Sequence, residues 1–436
     1  MTDRNCAAES NTRLFDDYMD ALADVLGRVG RVGPLRSYCT GLLLPGERKS
    51  VEPLAARISP TNVRQTHQSL HHFVADSPWK DEAVLGRVKD LVLPIMQERA
   101  PISAWLVDDT GMPKKGSYSV GVAHQYCGQL GKQANCQVAV SLSIANEHAS
   151  LPIAYRLYVP RSWADDQVRR DAAGVPQDLL FETKPQISLN QIRQAVAAGV
   201  PRGVVVADAA YGNDNAFRNG LSTLGLRYAV AIQSTTNVWR PGDSPLIPEE
   251  RSKKKRGRPI TRLAHPKNRK PISVLELAHE LPKSAFRALT WREGTDKPLR
   301  SRFAAVRIRV AHGDLERSTP HEPEWLLIEW PQHEEAPTKY WLSTLAESTP
   351  KAQLVRAVMT RWRIERDYQN LKQELGLGQY EGRSWRGFHH HATLCIAAYG
   401  FLLLDQGGFS PSDRPRQLRF AQPALPDDFR PRGAAD

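Results

Sequence analysis

The stretch SAWLVDDTG, residues 103–111, combines a short apolar run with two acids at its end. A second stretch, GVVVAD at residues 203–208, repeats this arrangement. Short apolar runs bounded by polar residues are typical of buried strands. The carboxyl ends of such strands are where an α/β sheet places its active site. We therefore expect Asp208 and either Asp108 or its neighbour Asp109 to lie at strand ends in one site.

Further strands and helices are predicted on both sides of these stretches. Residues 136–144 alternate between apolar and polar with a period of two, and residues 228–232 and 339–345 are also strand-like. Residues 217–224 have a helical pattern, and residues 352–375 predict one long helix. Strands that alternate with helices indicate an α/β fold with a mixed sheet and flanking helices.

The chain has 436 residues, too many for a single ordinary core, so we expect several domains. Apolar residues at helical spacing predict an N-terminal helical domain over residues 1–100, which either contacts DNA or is a plain helical bundle. Residues 237–337 are rich in Pro, Lys and Arg and contain strand-like stretches, which predicts a basic, mainly β insertion. The catalytic domain then comprises residues 101–236 and 338–405. Residues 406–436 are expected to form a disordered tail.

The charge balance favours an anionic partner. The sequence has 59 Lys and Arg against 47 Asp and Glu, a net charge of +12. A basic surface suits a nucleic acid, since each neutralised phosphate releases counterions; a basic protein that binds no nucleic acid is the alternative. The longest apolar run, residues 394–404, is too short to span a membrane. We expect a cytoplasmic protein that acts on the nucleoid.

A third acid, Glu365, lies within the predicted long helix in the sequence RWRIE. Arg361 and Lys372 fall on the same helical face, at spacings of four and seven residues. An acid flanked by bases on one face suits a metal ligand beside phosphate contacts. Three carboxylates around one point require cations between them, and oxygen ligands select Mg²⁺ or Mn²⁺, as two ions. Taken singly, the aspartates also suit helix caps, and the helix suits a solvated, salt-bridged face.

In this order the residues resemble those of bacterial insertion-sequence DDE transposases, a cut-and-paste group with an RNase-H-like catalytic fold. That group carries a helical signature of Tyr, Arg, Glu and Lys, in which Arg361, Glu365 and Lys372 match three places. Val358 occupies the tyrosine place, so Tyr368 or another residue has to supply that contact. The sequence VVADAAYG around Asp208 is similar to the second-aspartate strand of the group, and DDTGMPKKG, at residues 108–116, is similar to the first-aspartate region.

The resemblance implies a catalytic triad of Asp108, Asp208 and Glu365 that binds the metal. Family members often read Asp-x-Thr at the first aspartate, which favours Asp108, while Asp109 is the alternative. The group also places an aromatic residue late in the insertion, where it stacks on a flipped base. Tyr340 and Trp341 occupy that place, and buried strand aromatics are the alternative interpretation.

One basic run in the insertion is a separate candidate for DNA binding. It consists of Lys253, Lys254, Lys255, Arg256 and Arg258. The core Arg-Gly-Arg-Pro is similar to an AT-hook, whose arginines enter a narrow minor groove. A solvated loop that touches only phosphates is the alternative.

The function that follows is cleavage at terminal inverted repeats and joining of the 3′-hydroxyl ends to target DNA. The partners expected are double-stranded DNA, as transposon ends and target, and a second copy of the chain in a synaptic homodimer. Two rival functions stay open: a DNA-binding protein without catalysis, and a sequence-nonspecific RNase-H-like nuclease.

Overall fold

The computed structural model of the chain describes residues 2–248, 261–292 and 299–410. The chain divides into two compact units. Unit 1 combines Met1–Pro201 with Trp362–Asp436, and unit 2 is Arg202–Arg361. These limits differ from the expected domain boundaries at residues 100, 236 and 337, which remain a prediction.

The α-helices of the described residues are numbered in chain order. They are α1 (Thr2–Ala23), α2 (Val32–Leu43), α3 (Val51–Ile58), α4 (Val63–His71), α5 (Asp81–Arg99), α6 (Arg161–Ala164), α7 (Gln167–Ala173), α8 (Lys184–Ala197), α9 (Ala209–Gly212), α10 (Asn215–Thr223), α11 (Val274–Glu280), α12 (Lys351–Met359), α13 (Trp362–Gln373) and α14 (Trp385–Asp405).

The strands are numbered in the same way. They are β1 (Ala104–Pro113), β2 (Ala123–Cys127), β3 (Lys132–Ala145), β4 (Ser150–Leu157), β5 (Val204–Ala207), β6 (Tyr228–Ile232), β7 (Asn237–Trp239), β8 (Ile272–Ser273), β9 (Arg287–Arg292), β10 (Leu299–Val310), β11 (Glu324–Glu329) and β12 (Lys339–Ser343).

The sheet of unit 1 is built around β3. This strand pairs antiparallel with β1, β2 and β4. Every residue from Cys136 to Ala145 is buried, the polar ones included, so both faces of this part of the strand are covered. The long pairing with β3 holds β1 straight and fixed in register, and β1 carries the candidate acids Asp108 and Asp109.

Helices α1, α2 and α5 pack on the C-terminal helix α14 within unit 1, and α3 and α4 pack on α2. The Tyr18 hydroxyl donates to the Ala397 carbonyl at 2.9 Å, and the Tyr38 hydroxyl is 2.9 Å from Nδ1 of His391. The residues of α14 from Gly387 to Leu403 are buried. The N-terminal region is therefore helical as predicted, and it shares a core with α14. Among the described residues, no helix combines the length and apolarity that crossing a lipid bilayer requires.

Unit 2 contains both parallel and antiparallel pairs. The pair β5 and β6 is parallel, and β6 continues into the antiparallel series β12, β11 and β10. Strand β10 also pairs with β7 and β9, so the predicted insertion is mainly β in its described part. Both units mix helices with sheet, which confirms the predicted α/β class with a mixed sheet and flanking helices.

The prediction of one long helix over residues 352–375 is wrong. The chain forms α12 and α13, with Thr360 and Arg361 in a turn between them. The Thr360 hydroxyl donates to the Arg356 carbonyl at 2.9 Å, and such a bond from a β-branched side chain competes with the helical backbone pattern. Arg361 therefore precedes the helix that carries Glu365, and the two do not share a helical face.

Candidate active site

Strand β1 holds Asp108 and Asp109 in its middle. Asp108 lies opposite Ser141 of β3, and Asp109 lies opposite Val140. The prediction that β1 ends at these acids is wrong, since the strand continues to Pro113. The cause is a long-range one: Cys136–Ala139 of β3 offer backbone partners to the four residues that follow Asp109. The acids are consequently fixed by pairing on both sides.

The two neighbouring acids of β1 have different surroundings. Asp109 forms an ion pair with Lys184, the first residue of α8, and both side chains are mostly buried. Asp108 accepts the backbone N–H of Asp109 at 2.9 Å through Oδ1. Adjacent residues of a strand point to opposite faces, and the β1–β3 register runs through both acids without a bulge. The carboxylates of Asp108 and Asp109 nevertheless offer oxygens within 4.8 Å of each other, so both acids are placed where they could bind one metal ion.

Helix α13 contacts β1 through Lys372. The Lys372 Nζ donates to the Gly111 carbonyl at 3.1 Å. Burial lowers the pKa of Lys372, while Cys127, Asp108 and Asp109 act in the opposite direction. Glu365 lies seven residues before Lys372, two turns away on the same helical face. The side chain of Glu365 is exposed.

Tyr368 lies between Glu365 and Lys372 on that face. It is 6% exposed. Burial raises the pKa of the Tyr368 phenol, and the charges of Asp108, Asp367 and Asp109 add to this rise. Tyr368 therefore lies close to the acids of β1, within unit 1.

The sequence analysis missed Asp367, a buried carboxylate on the opposite side of α13. Asp367 is 1% exposed and accepts hydrogen bonds from the hydroxyls of Ser150, Tyr399 (2.8 Å) and Ser410 (3.2 Å). Burial raises the pKa of Tyr399, and the neighbouring Asp367 charge adds to it. These bonds connect α13 with β4, α14 and the residues that follow α14. The only signal in the sequence is an acid on the apolar side of an amphipathic helix.

Asp208 lies in unit 2, directly after β5, as predicted. It is the N-cap of α9, and its Oδ1 accepts the backbone N–H of Ala210 at 2.9 Å. The short helix packs closely on β6: a Cβ atom at Gly212 would lie 1.8 Å from the Ala231 carbonyl oxygen. Glycine is thus required there, and the strand-to-helix turn that carries Asp208 is tightly fixed.

Two predicted DNA contacts lie in the core of unit 2. Tyr340 is 3% and Trp341 is 6% exposed, and Trp341 packs in a cluster with Phe303, Leu327 and Val358. This placement matches the alternative interpretation as buried strand aromatics, because stacking on a base would require these rings to leave the core. Val358, at the tyrosine place of the signature, is buried in the same cluster. The basic run of Lys253, Lys254, Lys255, Arg256 and Arg258 lies outside the described residues.

The donor chemistry of Asp108, Asp208 and Glu365 suits a divalent cation. All three offer carboxylate oxygens, the ligands that Mg²⁺ and Mn²⁺ prefer. Asp109 also offers a carboxylate oxygen within 4.8 Å of one of Asp108, and its charge is partly compensated by Lys184.

The sequence of the chain matches that of a nuclease family. Residues 21–298 match the family described as DDE superfamily endonuclease, and the chain belongs to this family. The match includes Asp108 and Asp208 and ends before Glu365. Membership implies catalysis with divalent metal ions.

The chain is also similar in sequence to one transposase. The chain is 29% identical over 232 residues to a protein of Microchaete diplosiphon named "Probable transposase for insertion sequence element IS701". The aligned part is 53% of this chain and 57% of the relative, so the chain spans just over half of that protein.

Proposed function

We propose that the protein is a transposase that binds the terminal inverted repeats of an insertion sequence, cleaves the DNA and joins the 3′-hydroxyl ends to target DNA. The single observation that carries this is the family match over Asp108 and Asp208. The similarity to the insertion-sequence relative supports transposition over other nuclease functions. Glu365 joins the proposal because its helix contacts β1 through Lys372.

In this proposal Asp108, Asp208 and Glu365 hold two divalent ions. When bound, the two ions activate the attacking oxygen and stabilise the leaving oxygen at phosphorus. The continuous pairing of β1 fixes Asp108, and the cap of α9 fixes Asp208, so both carboxylates are preorganised. Asp367 holds α13 from its buried side and leaves Glu365 accessible. Lys372 contacts a phosphate on the face that it shares with Glu365, and Arg361 contacts the DNA before α13 begins.

The experiment is a cleavage assay beside a binding assay. The purified protein should nick a duplex that ends in the terminal repeat when Mg²⁺ or Mn²⁺ is present and not in EDTA. Glu365→Gln should bind the duplex with unchanged affinity and nick on the order of a thousandfold more slowly, because the amide keeps the shape and loses a charged ligand. Glu374→Gln is the matched control, since this exposed acid directly follows α13.

Three outcomes contradict the proposal. Nicking by Glu365→Gln at the wild-type rate would remove Glu365 from the triad. Equal nicking of a random duplex would favour the nonspecific nuclease. Binding of the terminal repeat without any nicking by the wild-type protein would favour the DNA-binding protein without catalysis.

The remaining parts of the proposal concern partners. The protein acts as a synaptic homodimer in this proposal, because two transposon ends have to be held together. It acts on the DNA of the nucleoid. The basic run from Lys253 to Arg258 supplies phosphate contacts, and replacing its five basic residues with Ala should weaken binding to all duplexes alike. Loss at A·T-rich sites alone would favour the minor-groove alternative.

A further inference from the structure

A surface of unit 1 around Tyr118 and Tyr126 has no part in the proposed cleavage. Tyr118 is 72% exposed, Tyr126 is 58% exposed, and Leu130 is 45% exposed. Large aromatic side chains are mostly covered in soluble proteins, so two exposed tyrosine rings on segments that both contact Asn135 indicate a binding surface. We call this the tyrosine surface, and its exposed members are Lys115, Tyr118, His124, Tyr126, Leu130 and Lys132.

The charge of the tyrosine surface is mainly positive. No acidic residue occurs between Asp109 and Glu147, while Lys114, Lys115 and Lys132 lie in this interval. The Arg383 guanidinium lies 5.1 Å from the centroid of the Tyr118 ring. Glu381 is an acid close to Lys114, and the bases of the surface outnumber it. A surface with such an excess of bases attracts a polyanion more strongly than it attracts an apolar partner protein.

The backbone beneath the tyrosine surface is held in place. His124 pairs with Asn135 between β2 and β3, and cross-strand partners share a face of the sheet. The Asn135 amide donates to the carbonyls of Lys114 (2.8 Å) and Gly116 (2.7 Å) at the start of the loop that carries Tyr118. At the end of this loop, the Val120 N–H donates to the Arg383 carbonyl at 3.0 Å. Tyr118 and Tyr126 therefore project from two connected and ordered segments.

We infer that the tyrosine surface binds a DNA strand with unpaired bases. Two bases stack on Tyr118 and Tyr126, and Lys115 and Lys132 contact the phosphates beside them. Arg383 supports one face of the Tyr118 ring and leaves the exposed part for a base. An intact duplex keeps its bases stacked on each other, so its phosphates would contact the lysines and its bases would not stack on the tyrosine rings. The inference rests on the proposed function, which makes DNA the substrate. It adds to that function that the bound strand has unpaired bases.

The experiment measures binding without cleavage. A labelled single strand of mixed sequence and its duplex are titrated with the full-length protein in EDTA, so that the result does not depend on nicking. Tyr118→Ala and Tyr126→Ala should each weaken single-strand binding about tenfold and change duplex binding less than twofold. Phe at either position should restore binding, because the ring is kept. Leu180→Ala, a change at another exposed residue of unit 1, should have no effect.

The salt dependence separates rings from lysines. Replacing Lys115 and Lys132 with Ala should lower the slope of log affinity against log salt by about 0.7 for each lysine, and the tyrosine variants should keep the wild-type slope. Unchanged single-strand affinity in the double tyrosine variant, with an unchanged melting temperature, would overturn the inference. So would an equal loss for single strand and duplex. Nicking by the double variant in Mg²⁺ would still support the proposed function, so the two failures are distinguishable.

Discussion

The two sides of α13 carry carboxylates only two residues apart, with opposite surroundings. Asp367 is buried and accepts three hydroxyl donors, whereas Glu365 is exposed on the face that Lys372 connects to β1. A buried carboxylate is retained only if its hydrogen bonds are satisfied, which makes Asp367 a part of the core. An exposed carboxylate is accessible to a metal ion and a substrate. One helix therefore carries an anchoring carboxylate on its buried side and, on its exposed side, the carboxylate that we propose for catalysis.

We expect β1 likewise to carry one catalytic and one anchoring carboxylate. Here we expect the largest effect of a substitution on the rate of nicking. Asp108→Asn should reduce nicking on the order of a thousandfold, whereas Asp109→Asn should reduce it by less than about tenfold, because Asp109 is engaged with Lys184. The measurement is Mn²⁺-supported nicking of a terminal-repeat duplex, after each variant has been shown to bind it. An inactive Asp109→Asn beside an active Asp108→Asn would reverse the assignment. Two active variants would move the site away from β1.

Asp367→Asn tests the anchoring side of the comparison. We expect the free energy of unfolding to fall by about 2–4 kcal/mol, because the amide cannot accept all the hydroxyl donors that the carboxylate accepts. Urea unfolding measures this loss, and nicking per folded molecule should change little. Asp90→Asn is the control, since Asp90 is an exposed acid of α5 in the same unit. An unchanged free energy of unfolding would show that Asp367 does not anchor α13.

Buried histidines of α14 extend the comparison to pH. His389 donates from Nδ1 to the Trp385 carbonyl (2.9 Å) and accepts the Leu157 N–H at Nε2 (3.2 Å), which suits a neutral ring. His391 is likewise placed between the Tyr38 hydroxyl and the Gly376 carbonyl, both at 2.9 Å. Burial lowers the pKa of each of these two histidines to about 4.

The sign of the resulting pH dependence follows from these lowered pKa values. Below about pH 6.5 the unfolded chain takes up protons that the folded histidines do not bind, so stability falls as pH drops from 6.5 towards 4. Each histidine should account for on the order of 2–3 kcal/mol of this loss. The melting temperature should decline as the pH is lowered across this range. For His389→Gln, the melting temperature should decline less steeply than for the wild type. Equal slopes would mean that His389 is protonated in the folded protein.

The sequence predicted the parts of the site that depend on local pattern. The strand β5, the acid Asp208 after it and the face shared by Glu365 and Lys372 follow from residues close together in the chain. The continuation of β1 past Asp109 could not be predicted, because it depends on pairing with β3. The Asp367 contacts were missed for the same reason, since Ser150 is 217 positions away. The burial of Trp341 depends on packing against α12, which the strand pattern does not reveal.

We propose that the Asp208 side chain both caps a helix and binds a metal ion. Its substitution by Asn should have the smallest effect on the free energy of unfolding. It caps α9 through its bond to the Ala210 N–H, and the proposal also gives it a metal. Asn is as good a helix cap as Asp, so Asp208→Asn should change the free energy of unfolding by less than about 0.5 kcal/mol, while Asp208→Ala should lower it by about 1 kcal/mol. Both variants should fail to nick, because neither keeps a carboxylate. Urea unfolding and the nicking assay, run on the same preparations, distinguish the roles. If Asp208→Asn nicked at the wild-type rate, Asp208 would be a cap alone, and the contrast seen between Glu365 and Asp367 would not extend to unit 2.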